Sequence, residues 1–251
     1  MEIQKPGSPL PLYPDVEQAG GLAPLLDFFF AELGSPLRCQ DVRRKHIDFA
    51  RVRVEGGSSR ICADPEKRLF RFNDLWLDGV SLGSQSRPTP EEVALALHQL
   101  IVLRQNPLEL QEQFSWLRLD DRARAFFGGA KAYTDFQWHS LEGLGDSRYE
   151  SLKQLYPALL AACDHPQLGV LYPFTSICTL HFSRCTGYPF DIPCSGICPT
   201  EEDGVYAVHH RQQARYKGVE FQGSLEDAIA FIAAQLPPDC GPARQGTGED
   251  A

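Results

Sequence analysis

The stretch Ala50-Arg-Val-Arg-Val-Glu-Gly-Gly57 alternates small or apolar side chains with charged ones and then meets two glycines. Side chains of a strand point to opposite faces in turn, so Ala50, Val52 and Val54 share one face and Arg51, Arg53 and Glu55 the other. Paired glycines supply the backbone freedom of a tight hairpin turn. The pattern predicts a half-buried strand opening an antiparallel meander. Downstream, residues 60–63, 68–72 and 75–82 read as further short strands, with Asp64-Pro65 and Asn73-Asp74 as the turns between them.

Working outward, helices flank this meander. Before it, Leu22, Leu25, Leu26, Phe29 and Leu33 fall on one helical stripe, with Pro24 tolerated in the first turn and Gly34 placed to cap the end. After it, Thr89-Pro-Glu-Glu92 has the order of a capping box and predicts a helix to about Leu103. Residues 106–163 read as mainly helical, from an Asn106-Pro107 start to a broken helix near Tyr156-Pro157, with Trp116 and Trp138 as core anchors. Strands return at 179–184, 204–210 and 218–221. Ser224 then caps a last helix whose Leu225, Ile229, Ile232 and Leu236 share a face before Pro237 stops it.

The fold class is therefore α+β: antiparallel strands with flanking helices, in two strand-then-helix units joined by a mainly helical middle segment. Gly79-Val-Ser-Leu82 and Gly218-Val-Glu-Phe221 each lead through a glycine and a hydroxyl cap into a helix, a short likeness between the halves. One domain is expected over residues 21–240, with halves 21–105 and 169–240 and a connector 106–168. Residues 1–20 and 241–251, rich in Pro, Gly and charge, are expected to be flexible.

Composition excludes several roles. The 251 residues carry 33 acidic against 24 basic side chains, a formal charge of -9 that repels nucleic-acid phosphates and anionic membranes. No apolar run approaches the roughly 20 residues that span a bilayer, and residues 1–14 lack the order of a signal peptide. A cytoplasmic protein is expected, its eight cysteines reduced. No phosphate loop, GxSxG elbow or HExxH helix is present, and no cofactor is expected.

The densest chemistry lies in Leu171-Tyr-Pro-Phe-Thr-Ser-Ile-Cys-Thr-Leu-His-Phe-Ser-Arg-Cys-Thr-Gly-Tyr-Pro-Phe190, followed by Cys194-Ser-Gly-Ile-Cys198. Thiolate and imidazole suit zinc, yet Cys178, Cys185, Cys194 and Cys198 are separated by six, eight and three residues, unlike paired knuckles. In a regular strand Cys178 faces away from His181, and Cys185 lies about 13 Å further along at roughly 3.3 Å per residue. No metal is expected. The segment reads chiefly as an interior β segment with packed thiols. If it is instead catalytic, Cys185 is the nucleophile, His181 or one of His209 and His210 the base, and Arg184 the neighbouring charge. His209 and His210, followed by Arg211, Arg215 and Lys217, form a local basic segment that suits an anionic ligand or a solvated hairpin.

Tyr172-Pro-Phe-Thr-Ser176, His181-Phe-Ser-Arg-Cys-Thr-Gly-Tyr-Pro-Phe190 and the tail Leu236-Pro-Pro-Asp-Cys-Gly-Pro-Ala-Arg-Gln-Gly-Thr-Gly-Glu-Asp250 resemble a family of uncharacterised bacterial proteins found in secondary-metabolite gene clusters. The tight Phe190-Asp-Ile-Pro193 junction departs from that family's pattern, and Cys178 and Cys198 lie outside the resembling part. The resemblance implies natural product biosynthesis without an established reaction. It leads to three readings. The first is an accessory protein that holds a peptide or carrier-bound intermediate for a partner biosynthetic enzyme, by an edge strand or through Tyr172, Phe174, Tyr188, His209 and His210. The others are a cysteine-dependent tailoring enzyme and a self-protection protein.

Overall fold

A computed structural model describes residues 11–40, 48–55, 57–77, 80–81, 85–87, 89–210 and 218–250. The chain divides into two compact units, residues 1–127 and 128–251. The division falls inside the middle segment 106–168.

The first unit opens with a short helix α1 (Pro14–Gln18) and α2 (Leu22–Glu32), followed by strands β1 (Phe49–Val54), β2 (Gly57–Ala63), β3 (Phe70–Leu77), β4 (Val80–Ser81) and β5 (Gln85–Arg87). All pair antiparallel, in the order β1-β2-β3-β4 with β5 also on β3. The Ala50/Val52 alternation does bury one face, and Val54 leaves it at the strand end. Residues 68–72 and 75–82 do not form two strands split at Asn73-Asp74, because β3 runs unbroken through that point and a register shift between Ser58 and Arg60 of β2 absorbs the irregularity. The proposed repeat piece at 79–82 lies partly outside the described residues.

α2 turns a different stripe inward from the one its sequence suggests. Leu22, Ala23, Leu26 and Phe30 are buried, whereas Leu33 is exposed. Gly34, at φ 62°, ends the helix, and the Ser35 amide bonds back to the Phe30 carbonyl at 2.8 Å. The first residues are less idle than their composition implies. Tyr13 is fully buried, with its hydroxyl 2.8 Å from the carbonyls of Asp64, Lys67 and Leu69, and Arg68 clasps Asp15 through both oxygens. α3 (Pro90–Leu97) starts as expected, with the Glu92 amide donating to Thr89 Oγ1 at 3.3 Å. It then loosens into a π-helical turn, His98–Val102, before α4 (Pro107–Gln113) and α5 (Asp121–Phe127). Trp116, half-buried, stacks on Phe72.

The second unit holds α6 (Ala130–Leu141), a 3-10 turn Glu142–Asp146, α7 (Glu150–Lys153) and α8 (Tyr156–Asp164). The helical run is interrupted just before Tyr156-Pro157, between α7 and α8, and Pro157 occupies the first turn of α8, where its missing amide costs nothing. Five antiparallel strands follow, β6 (Tyr172–Ser176), β7 (Thr179–Ser183), β8 (Gly196–Pro199), β9 (Val205–His209) and β10 (Val219–Ser224), arranged β10-β9-β8-β7-β6. β10 runs straight into α9 (Leu225–Ala233), whose first turn is capped by Ser224 accepting from the Asp227 amide.

Period-2 alternation gives this sheet two unlike faces. Leu180, Phe182, Ile197 and Val208 point into a core closed by Leu159 of α8 and Ile229 and Ile232 of α9. Burying a side chain such as Ile232 contributes roughly 1.5–3 kcal/mol. Trp138 joins this core and donates its indole N–H to the Leu171 carbonyl at 3.1 Å. The opposite face carries Tyr172, Phe174 and His181. Among the described residues, no helix is long and apolar enough to cross a membrane.

Candidate functional site

The β6–β7 register sets Tyr172 opposite Ser183 and Phe174 opposite His181. Side chains directly across an antiparallel pair touch, and here they stack. Phe174 lies between the imidazole of His181 at 5.1 Å and the ring of Phe190 at 4.1 Å. Phe190 also meets Tyr172 at 6.1 Å and Tyr188 edge-on at 5.9 Å, while Tyr133 of α6 covers Tyr172 at 5.4 Å. The result is a row of rings across the non-core face. Tyr172 is buried inside it, Phe174 and Phe190 are half-buried, and Tyr188 stands 82% exposed at its outer end.

Gly196 of β8 is what admits His181. A Cβ at that glycine would lie 2.6 Å from His181 Nδ1, so only a bare backbone lets the imidazole lie flat over the strand. Pressed there, Nδ1 has no hydrogen-bond partner. Burial, with the neighbouring charge of His209, pulls the imidazole down to about 4, and His181 is neutral at pH 7. His209 therefore stands close to His181, at the end of β9 opposite Gly196. His210 follows it, half-exposed, and the basic residues 211, 215 and 217 lie outside the described residues.

Tyr188 and Phe190 owe their position to Cys185. β7 ends at Ser183, and the chain then coils around the Cys185 thiol. The Asp191 amide donates to Sγ at 3.2 Å, and Sγ is 3.4 Å from the Gly187 carbonyl and 3.7 Å from that of Pro189. Ser183 Oγ lies 3.4 Å from Sγ, accepts from the Cys185 amide and donates to the Cys185 carbonyl. Cys185 has no exposed surface and no imidazole among its partners. A nucleophile must be reachable and paired with a base. Cys185 is neither in this structure, so this geometry lends the catalytic assignment no support.

Arg184, the third member of that assignment, is likewise occupied. Its guanidinium meets both carboxylate oxygens of Asp191 at 2.9 and 3.1 Å, and its amide donates to the Asp191 carbonyl at 2.8 Å. The hydrogen bond to Asp191 holds the Arg184 proton more firmly than usual. Arg184 therefore closes the loop.

The C-terminal segment finishes the construction. Cys185 and Arg244 form a parallel bridge, in which the Arg244 amide donates to the Arg184 carbonyl and the Thr186 amide to the Arg244 carbonyl. Gly187 bonds to the Gly246 carbonyl at 2.7 Å and Gly248 to that of Pro189 at 2.6 Å. Asp250 accepts from the amide and hydroxyl of Thr247, which keep its carboxyl below the usual range. Residues 241–250, expected to be flexible, thus pack against the loop, with Ala243 buried.

Sequence reasoning missed Phe190, Gly196 and the tail as parts of one site. The Ser183-x-Cys185 spacing and a glycine inside a strand were the available signals. All eight cysteines are free, and among the described residues no three His, Cys, Asp or Glu side chains gather where an ion could sit.

No curated protein and no solved structure matches the chain. Residues 132–247, which contain the ring row, the Cys185 loop and most of the tail, match a family of unknown function, DUF6193.

Proposed function

We propose that the chain is an accessory protein of natural product biosynthesis that binds a peptide or carrier-bound intermediate for a partner enzyme, using the ring row beside Tyr188. The observation that carries this reading is the 82% exposed Tyr188 held on a loop whose every support is buried or bonded. Rigid aromatic side chains give large contact area at low entropic cost. The resemblance of the same segments to proteins from secondary-metabolite gene clusters supplies the biosynthetic setting. The enzyme reading draws less support, since its thiol is enclosed by backbone groups.

Titration calorimetry against the precursor peptide and the enzymes encoded beside this chain tests the proposal. Binding by the native chain that falls at least tenfold in Tyr188→Ala, with an unchanged melting temperature, supports it. Absence of binding to every neighbouring product defeats it.

A further inference from the structure

Away from the ring row, the second unit carries a groove of about 340 Å3 where the β8–β9 turn faces α8 and the start of α9. Its walls are apolar: Pro157, Pro199, Val205, Tyr206 and Leu225. Tyr206 spends its hydroxyl on the Gln154 carbonyl at 3.0 Å, which leaves the ring as its contribution. At the rim sit Glu202 and Asp203, and neither carboxylate meets a cation among the described residues. The turn that presents them is fixed from within. Thr200 Oγ1 accepts from the Glu202 amide at 3.2 Å and lies 3.0 Å from the Val205 carbonyl, with Gly204 at φ 75° closing the bend. Burial, and then the charge of Asp203, raises the Tyr206 hydroxyl above its ordinary range, as expected of a carboxylate standing near that ring.

An apolar wall capped by unpaired negative charge complements one kind of group, a cation on an aliphatic stem. Lysine and arginine side chains lay their methylenes on apolar surface and keep the charge at its edge. The volume lies at the low end of the range for small-molecule sites, roughly 300–1,000 Å3, and suits a single long side chain. A chain of net charge -9 also draws cationic partners toward it. We infer that this groove binds the basic side chain of a lysine- or arginine-bearing peptide. It shares no residue with the ring row, so it stands independently of the function proposed there.

The test uses the full chain, labelled with nitrogen-15, and blocked pentapeptides Ala-Ala-Lys-Ala-Ala with norleucine or glutamate in place of lysine. The lysine peptide is expected to shift the amides of Gly204, Val205 and Tyr206 and to bind at least tenfold tighter than the norleucine peptide. The exposed double substitution E202Q/D203N should weaken it at least fivefold without moving the melting temperature. The inference is overturned if the lysine peptide leaves those amides unmoved, or if norleucine or the double variant binds as tightly. It is also overturned if cadaverine matches the peptide, which makes the occupant a free amine, or if calcium chloride alone reproduces the shifts.

Discussion

Strand β7 has a cysteine-bearing turn at each end, and the two could hardly differ more. At its start, Ile177 and Cys178 form the tip of the β6–β7 hairpin with φ of 45° and 58°, a conformation that favours Asn or Gly. Ile177 is 71% exposed there, and the Cys178 thiol lies 3.0 Å from a surface hydroxyl, Ser151 Oγ. At its end, Cys185 is enclosed and satisfied by backbone groups. The lesson is that residue type alone sets little. One thiol sits on a turn held against its own preference, the other at the centre of a turn built around it.

The contrast is broken most severely by removing what encloses Cys185. Deleting residues 241–251 takes away the backbone bonds from Ala243, Arg244, Thr186, Gly187 and Gly248. At about 1 kcal/mol each, the loss is about 5 kcal/mol, read by denaturant titration, with hydrogen exchange accelerating first at residues 184–191.

Next comes pH. His181 titrates near 4 in the folded chain, against roughly 6.5 when unfolded. Its folded value is depressed, so its neutral form stabilises the fold fully above pH 6.5 and that contribution drains as pH falls toward 4. The expected loss is up to about 3 kcal/mol across that window. His181→Phe, which keeps the stack on Phe174, should flatten the profile between pH 6.5 and 4.5. Asp15, Asp64 and Asp250, held low by their partners, act only at more acid pH.

A smaller effect separates the two thiols. Cys185→Ala leaves the Asp191 amide without its acceptor and should cost about 2 kcal/mol. In the native chain iodoacetamide should modify the exposed Cys163 and spare Cys185 until denaturant is added. The smallest effect has the opposite sign. Ile177→Asn suits the left-handed turn and should raise stability by about 1 kcal/mol, seen as a higher melting temperature. A lower one would mean that Ile177 packs better than its exposure indicates.

Much of the framework was legible because it rests on local chemistry. Thr89 and Ser224 announce α3 and α9, and the alternation at Ala50 and Val52 finds β1. What stayed hidden depends on distant partners. β6 contains Pro173, which reads as a strand breaker and is tolerated at a sheet edge, and its turn lacks turn-forming residues. β8 is four residues with a glycine and a proline, too short for any periodicity. Tyr13 and the tail look solvated by composition, and only contacts more than fifty residues away show why the one is buried and the other docked. The candidate site was named in parts, as Tyr172, Phe174, Tyr188 and His181. The Cys185 loop that joins them needed three dimensions.

The bridge between Cys185 and Arg244 joins positions made far apart in time on the ribosome. A nascent chain can lay down β6 and β7 early, but the turn that displays Tyr188 gains its last backbone partners only after Gly248 has emerged. Prematurely stopped products should therefore hold Tyr188 on a slack, ill-shaped turn, so any binding through the ring row proposed above would double as a check that synthesis had passed that point.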